Sequence, residues 1–76
     1  MERAEEIINA GLRIAAKGGL LAVSLSEVAR QLECSHGTVA YHFKTVANLR
    51  RAISKAAVER KDEKVLPWLR AAGMKV

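Results

Sequence analysis

Residues 24–43, SLSEVARQLECSHGTVAYHF, decide how the rest of the chain is read. Ser24 is a good helix N-cap, and Glu27 follows at the spacing of a capping box. Leu25, Val28, Ala29 and Leu32 then recur at helical spacing and form one apolar stripe. Glu33-Cys34 interrupts that pattern. Ser35 can cap a second short helix, whose apolar positions are Val39 and Phe43. The stretch predicts a helix over 25–32, a tight turn, and a helix over 36–42. Two helices this short cannot close a core alone, so flanking segments must pack beneath them.

On the N-terminal side, residues 3–17 predict a helix with Ile7, Ile8, Gly11, Leu12, Ile14 and Ala15 on a broad apolar face. Glu2, Glu5 and Glu6 fall in its first turn and Lys17 in its last, as the helix dipole favours. One of Gly18 and Gly19 is expected in the left-handed C′ position. The apolar run Leu20-Leu21-Ala22-Val23 is expected to tuck a side chain under the first helix. On the C-terminal side, Thr45 can cap a helix from Val46, with Val46, Leu49, Ile53 and Ala56 or Ala57 facing inward. Residues 59–64, ERKDEK, read as that helix's solvated end or as a linker. Pro67 stops a helix reaching it, or starts a short one, PWLRAA, ended by Gly73.

A chain of 76 residues holds one domain, and half of it is apolar without two-residue alternation, which predicts an all-α fold. A single cysteine excludes an intramolecular disulfide and fits a reducing compartment. No apolar run approaches the roughly 18 residues that a membrane span requires. The acidic, amphipathic start MERAEE does not read as a signal peptide. The net charge of +5 is uneven: residues 1–34 carry −1 and residues 35–76 carry +6. A basic half that begins at the second short helix suits a polyanion partner, and equally suits lysines that solvate a long helix.

Cys34, His36 and His42 have the residue types of a metal site. Positions 36 and 42 lie six residues apart on a helix, however, and do not share a face. No metal or other cofactor is therefore expected, and Cys34 reads as a small apolar residue in the turn. There is no phosphate loop after a strand, no nucleophile elbow and no paired carboxylates in an apolar setting. A chain this short also has little volume for a pocket, so catalysis is not expected. Gly37 costs roughly 1 kcal/mol relative to Ala inside a helix. Either a helix or a DNA strand approaches it closely, or the position simply tolerates glycine. Val65, Leu66, Trp68 and Leu69 either fold back over the core or form an apolar patch for a second copy. The patch reading is the one carried forward.

The pattern in SLSEVARQLECSHGTVAYHFKTVANL resembles the N-terminal DNA-binding domain of the tetracycline-repressor (TetR) family. Ser24, Val28-Ala29, Ser35, Gly37, Val39, His42-Phe43 and Leu49 stand in the family's order and spacing, and Gly18-Gly19 fits its glycine after the first helix. The resemblance covers roughly residues 3–57. It implies that Ser24 holds a phosphate through its hydroxyl and the helix N-terminus. It implies that Ser26 faces the groove, and that His36, Gly37, Thr38 and Tyr41 present to base edges or the thymine methyl. His42 would reach a phosphate, with a partly buried, hydrogen-bonded histidine as the alternative. Ser35 caps the reading helix, and Lys44 is a further phosphate candidate by charge and position. Two positions depart from the family: Ala40 stands where a Tyr is usual, and Val46 where a Lys is usual. Family members also carry a second helical domain that binds a ligand and dimerises. This chain ends about where that domain would begin, so no small-molecule effector is expected.

Together these readings predict an all-α bundle of four to five helices containing a helix-turn-helix, homeodomain-like or TetR N-terminal-like. Residues 1–76 would form a single domain with a core at 3–58 and a C-terminal extension at 59–76. The expected partner is double-stranded DNA, bound sequence-specifically by a small repressor-like regulator, phage or mobile-element encoded and cytoplasmic at the nucleoid. A homodimer through Val65, Leu66, Trp68 and Leu69 would set two reading helices about 34–36 Å apart on a near-palindrome. The alternatives are a DNA-binding component of replication, recombination or packaging machinery, and a protein-interaction module that uses the helix-turn-helix as scaffold.

Overall fold

The structure is a computed structural model that describes residues 3–73. Glu2, expected in the first turn of the first helix, lies outside the described residues. The chain runs through α1 (Arg3–Gly18), a 3-10 turn (Leu20–Ala22), α2 (Leu25–Leu32), α3 (His36–Phe43), α4 (Val46–Arg60) and α5 (Leu66–Ala71). The fold is all-α, as the patterning predicts.

Each boundary has a local cause. In α1, Glu5 and Glu6 lie in the first turn and Lys17 in the last. The helix stops at Gly19, whose N–H donates to the Ala15 carbonyl at 2.8 Å. Gly19 has φ 81° and ψ 178°, so it is not in the left-handed helical well expected for C′. It occupies an extended mirror region open essentially to glycine alone. The apolar run after it forms a 3-10 turn with no buried side chain, in which Leu21 stands 86% exposed, and the extended Val23 that follows is fully buried.

Ser24 caps α2 by accepting from the Glu27 N–H at 3.0 Å. The reciprocal half of the expected capping box is replaced, because the Glu27 carboxylate turns to Arg30 one turn on. α2 ends in a Schellman turn: Cys34 N–H donates to Ala29 O and Glu33 N–H to Arg30 O. Glu33 takes the left-handed position of that turn at φ 54°, where glycine would be less strained. α4 ends the same way, with Lys61 left-handed and Asp62 N–H donating to Ala57 O.

The core lies between α1 and α4, with the helix-turn-helix packed across them. α1 contributes Ile7, Ala10, Ile14 and Ala15; α2 contributes Val28 and Ala29; α3 contributes Val39; α4 contributes Leu49, Ile53 and Ala57. At Gly11 the two long helices meet closely: an added Cβ would stand 2.8 Å from Ile53 Cγ1, with Cδ1 nearer still. Ile8, which the sequence places on the same face, is only partly buried.

The C-terminal segment corrects two expectations. Residues 59–76 were expected as an extension outside the core, yet Val65, Leu66 and Leu69 are buried in the same cluster as α1 and α4. For the same reason these three cannot form the homodimer patch expected of Val65, Leu66, Trp68 and Leu69. Their apolar surface is already covered within the chain, and only Trp68, at 40%, is substantially exposed. The Trp68 ring lies over Gly19, where a Cβ would come within 3.0 Å of Cε3. Its indole N–H donates to the Ala16 carbonyl at 3.1 Å, one of the acceptors that the end of α1 leaves open. α5 thus fastens onto the end of α1.

Leu69→Ala should therefore destabilise the domain by about 2–5 kcal/mol in urea unfolding, as for any filled core position. A loss below about 1 kcal/mol would mean that α5 is an appendage after all.

Candidate nucleic-acid interface

Three hydroxyl caps frame the candidate surface. Ser24 opens α2, Ser35 opens α3 by accepting from Thr38 N–H at 3.2 Å, and Thr45 opens α4 by accepting from Asn48 N–H at 3.2 Å. A serine that accepts one backbone bond still has its own proton to donate. The first N–H groups of a helix also attract anions. Ser24 is half-buried, and Ser26, the second residue of α2, is exposed.

α3 is short, so its two faces are sharply divided. Val39 is fully buried and Phe43, one turn on, packs against the core. Gly37 and Tyr41, also one turn apart, share the opposite face, where Tyr41 is 76% exposed. His36 is exposed at the start of the helix, and Thr38 is half-buried beside Ser35, their hydroxyls 2.9 Å apart. Gly37 has no neighbour in the chain that needs its smallness. A Cβ there would meet Ser35 Oγ at 3.8 Å, an ordinary contact. Close approach of another helix, one reason offered for this glycine, is thereby removed.

His42 is exposed rather than partly buried, and its ring stands edge-on to Tyr41 at 5.4 Å. Lys44 follows at a sharp corner. Its N–H closes α3 on Ala40 O, and its φ of 66° and ψ of −58°, with Thr45 N–H donating to Phe43 O, form a γ-turn. This strained geometry turns the chain directly from α3 into the Thr45 cap and leaves Lys44 exposed. Ala40 and Val46, the two departures from the family pattern, are both half-buried. Cys34 is a free thiol packed against the core. Among the described residues, no three His, Cys, Asp or Glu side chains are grouped to hold a metal ion.

The sequence reading missed Arg50. Its guanidinium donates to the Val23 carbonyl through Nε at 3.2 Å and Nη2 at 3.0 Å. A longer bond of 3.4 Å reaches Leu21 O. Val23 immediately precedes the Ser24 cap, so Arg50 fixes the entry to α2 from 27 residues away. Nothing in local periodicity marks such a contact. Arg30 is likewise occupied: its bond to Glu27, and then the charge of that carboxylate, raise its pKa above the usual value.

The family model for bacterial regulatory proteins of the tetR family matches residues 7–57. Comparisons with curated proteins and with solved structures gave no match. The matched segment runs from the first core residue of α1 to the last of α4, and includes the whole helix-turn-helix. The chain belongs to the tetR family, through its N-terminal helix-turn-helix DNA-binding domain.

Replacing Arg50 with Ala should cost about 1.5–3 kcal/mol in chemical denaturation, the range for hydrogen bonds to a charged group. Lysine at the same position should restore little, because a single ammonium does not reproduce the guanidinium fork on two carbonyls. Full rescue by lysine would show that only the charge matters there.

Proposed function

We propose that the chain is a small transcription regulator that reads a specific duplex sequence with α3 in the major groove. The observation that carries this reading is the outward face of α3. Gly37 is kept at a helix position where the chain itself has room for a methyl group, and Tyr41 beside it is left open. Glycine lowers helix stability, so an unneeded glycine on an open face fits a surface that another molecule approaches closely.

In this reading the contacts divide by chemistry. Ser24 and Ser35, at helix N-termini, and His42 and Lys44, around the α3–α4 corner, hold phosphates and set the register. Ser26, His36, Gly37, Thr38 and Tyr41 meet the groove, where imidazole and hydroxyl groups pair with base edges and the Tyr41 ring packs on a thymine methyl. The half-buried Ala40 and Val46 have no side-chain donors to offer the DNA backbone, which shifts phosphate work toward Lys44 and the basic face of α4. Residues 1–76 act as one DNA-binding unit, with α5 part of its core. Two copies on adjacent half-sites would place the reading helices about 34–36 Å apart.

Selection of bound sites from random duplex DNA tests the specificity; a motif should emerge, and its absence would reduce the protein to a non-specific binder. Gly37→Ala separates function from tolerance. It should raise stability by up to about 1 kcal/mol while weakening binding to the selected site. Stability and affinity unchanged together would make Gly37 merely tolerated. Lys44→Ala should lower the magnitude of the slope of log affinity against log salt by about 1, the signature of one lost phosphate contact. An unchanged slope would take Lys44 out of the interface.

A further inference from the structure

The sequence was expected to leave little room for a pocket, yet an open cleft of about 720 Å3 lies on the side of the molecule formed by α1, α2 and the α4–α5 turn. Its walls are Leu12, Arg13, Ala16 and Lys17 from α1, Gln31 from α2, and Asp62 and Lys64 from the turn. No residue of α3, and none of the proposed DNA contacts, lines it.

The cleft has two chemical halves. Leu12 is buried and Ala16 half-buried, which gives an apolar floor. Around them stand three cations against one carboxylate. Arg13 and Lys17 are four residues apart and so share one face of α1, a like-charge pair that repels. Lys64 faces them from the turn. The Asp62 carboxylate is engaged locally, accepting the Lys64 backbone N–H at 3.0 Å.

Arg13 is distinctive in another way. Arg30 bonds Glu27, Arg50 bonds Val23, Arg51 bonds Asn48, Arg60 bonds Asn9, and Arg70 also has a partner. Among the arginines whose side chains are described, Arg13 is the one without a partner. Its five donors are therefore open, beside an apolar floor, with a second cation one turn away.

From this arrangement we infer that the cleft is a binding site for a small amphipathic anion, with an apolar body and a single carboxylate, sulfonate or phosphate head. The head sits on the Arg13 fork, with Lys17 and Lys64 beside it and the Gln31 amide as a further donor. The body lies on Leu12 and Ala16. Such a ligand would relieve the repulsion between Arg13 and Lys17 and would bridge three elements, one of them the first helix of the helix-turn-helix. The inference does not rest on the DNA-binding reading, since the two sets of residues are separate.

The test uses the full 15N-labelled chain and three probes: octanoate, octylammonium and inorganic phosphate. Octanoate should give saturable amide shifts confined to residues 12–17, 31 and 62–64. Octylammonium should give none, and phosphate alone should not saturate over the same range. The double variant Arg13→Gln/Lys17→Gln, checked for an unchanged fold by its undisturbed remaining amides, should weaken octanoate at least tenfold. Absence of saturable octanoate shifts overturns the site, as do equal shifts with octylammonium or undiminished binding by the double variant. Should the single Lys17→Gln variant fold where the double one does not, it should still weaken octanoate, and full retention would count against the site. A reduced salt slope for DNA binding in either variant would assign the cleft to the nucleic-acid surface instead and overturn the inference.

Discussion

Ile53 of α4 lies against the backbone of α1 at Gly11, and the domain closes around that contact. A helix-turn-helix made of two eight-residue helices has too little apolar surface to hold itself together. It needs a platform, and α1 crossed by α4 provides one. Val28 and Val39 anchor the two short helices to it, each fully buried. Everything outward of those anchors is free to be polar. This division lets α3 carry glycine, histidine and an open tyrosine without loss of the fold.

A second constraint acts at the ends of α2 and α3 rather than in the core. Arg50 grips the carbonyl just before the Ser24 cap, the Schellman turn at Glu33 sets the angle between the short helices, and the γ-turn at Lys44 sets the angle to α4. Two of these turns place a non-glycine residue at positive φ, which is maintained only because the surrounding packing determines it. The polar surface is thus held by backbone geometry at its corners. That suits a reader of DNA, whose side chains must arrive together in one groove.

Much of this was legible in the sequence because it is local. The caps at Ser24, Ser35 and Thr45 are single-residue signals, and all three make the backbone bond that their positions predict. The 25–32 helix follows from one cap and one stripe. What was not legible depends on residues distant in the chain. Val65, Leu66 and Leu69 look like a free apolar patch until α5 is seen against α1. Trp68 finds its carbonyl 52 residues away, and Arg50 its own 27 away. The cleft beside Arg13 is likewise a product of three elements meeting. On the candidate surface the sequence named residues that the fold does leave largely exposed, because α3 is amphipathic over scarcely two turns and its polar side has only one direction to face.

The central claim is that α3 is the element that enters DNA. A structure of the chain on its selected duplex tests this most directly. The account predicts α3 lying in the major groove, with Gly37 against the duplex, Tyr41 on base edges or a thymine methyl, and Ser24 and Lys44 on flanking phosphates. A complex in which α3 faces solvent, with the duplex held by α1 or by the cleft around Arg13, would contradict it.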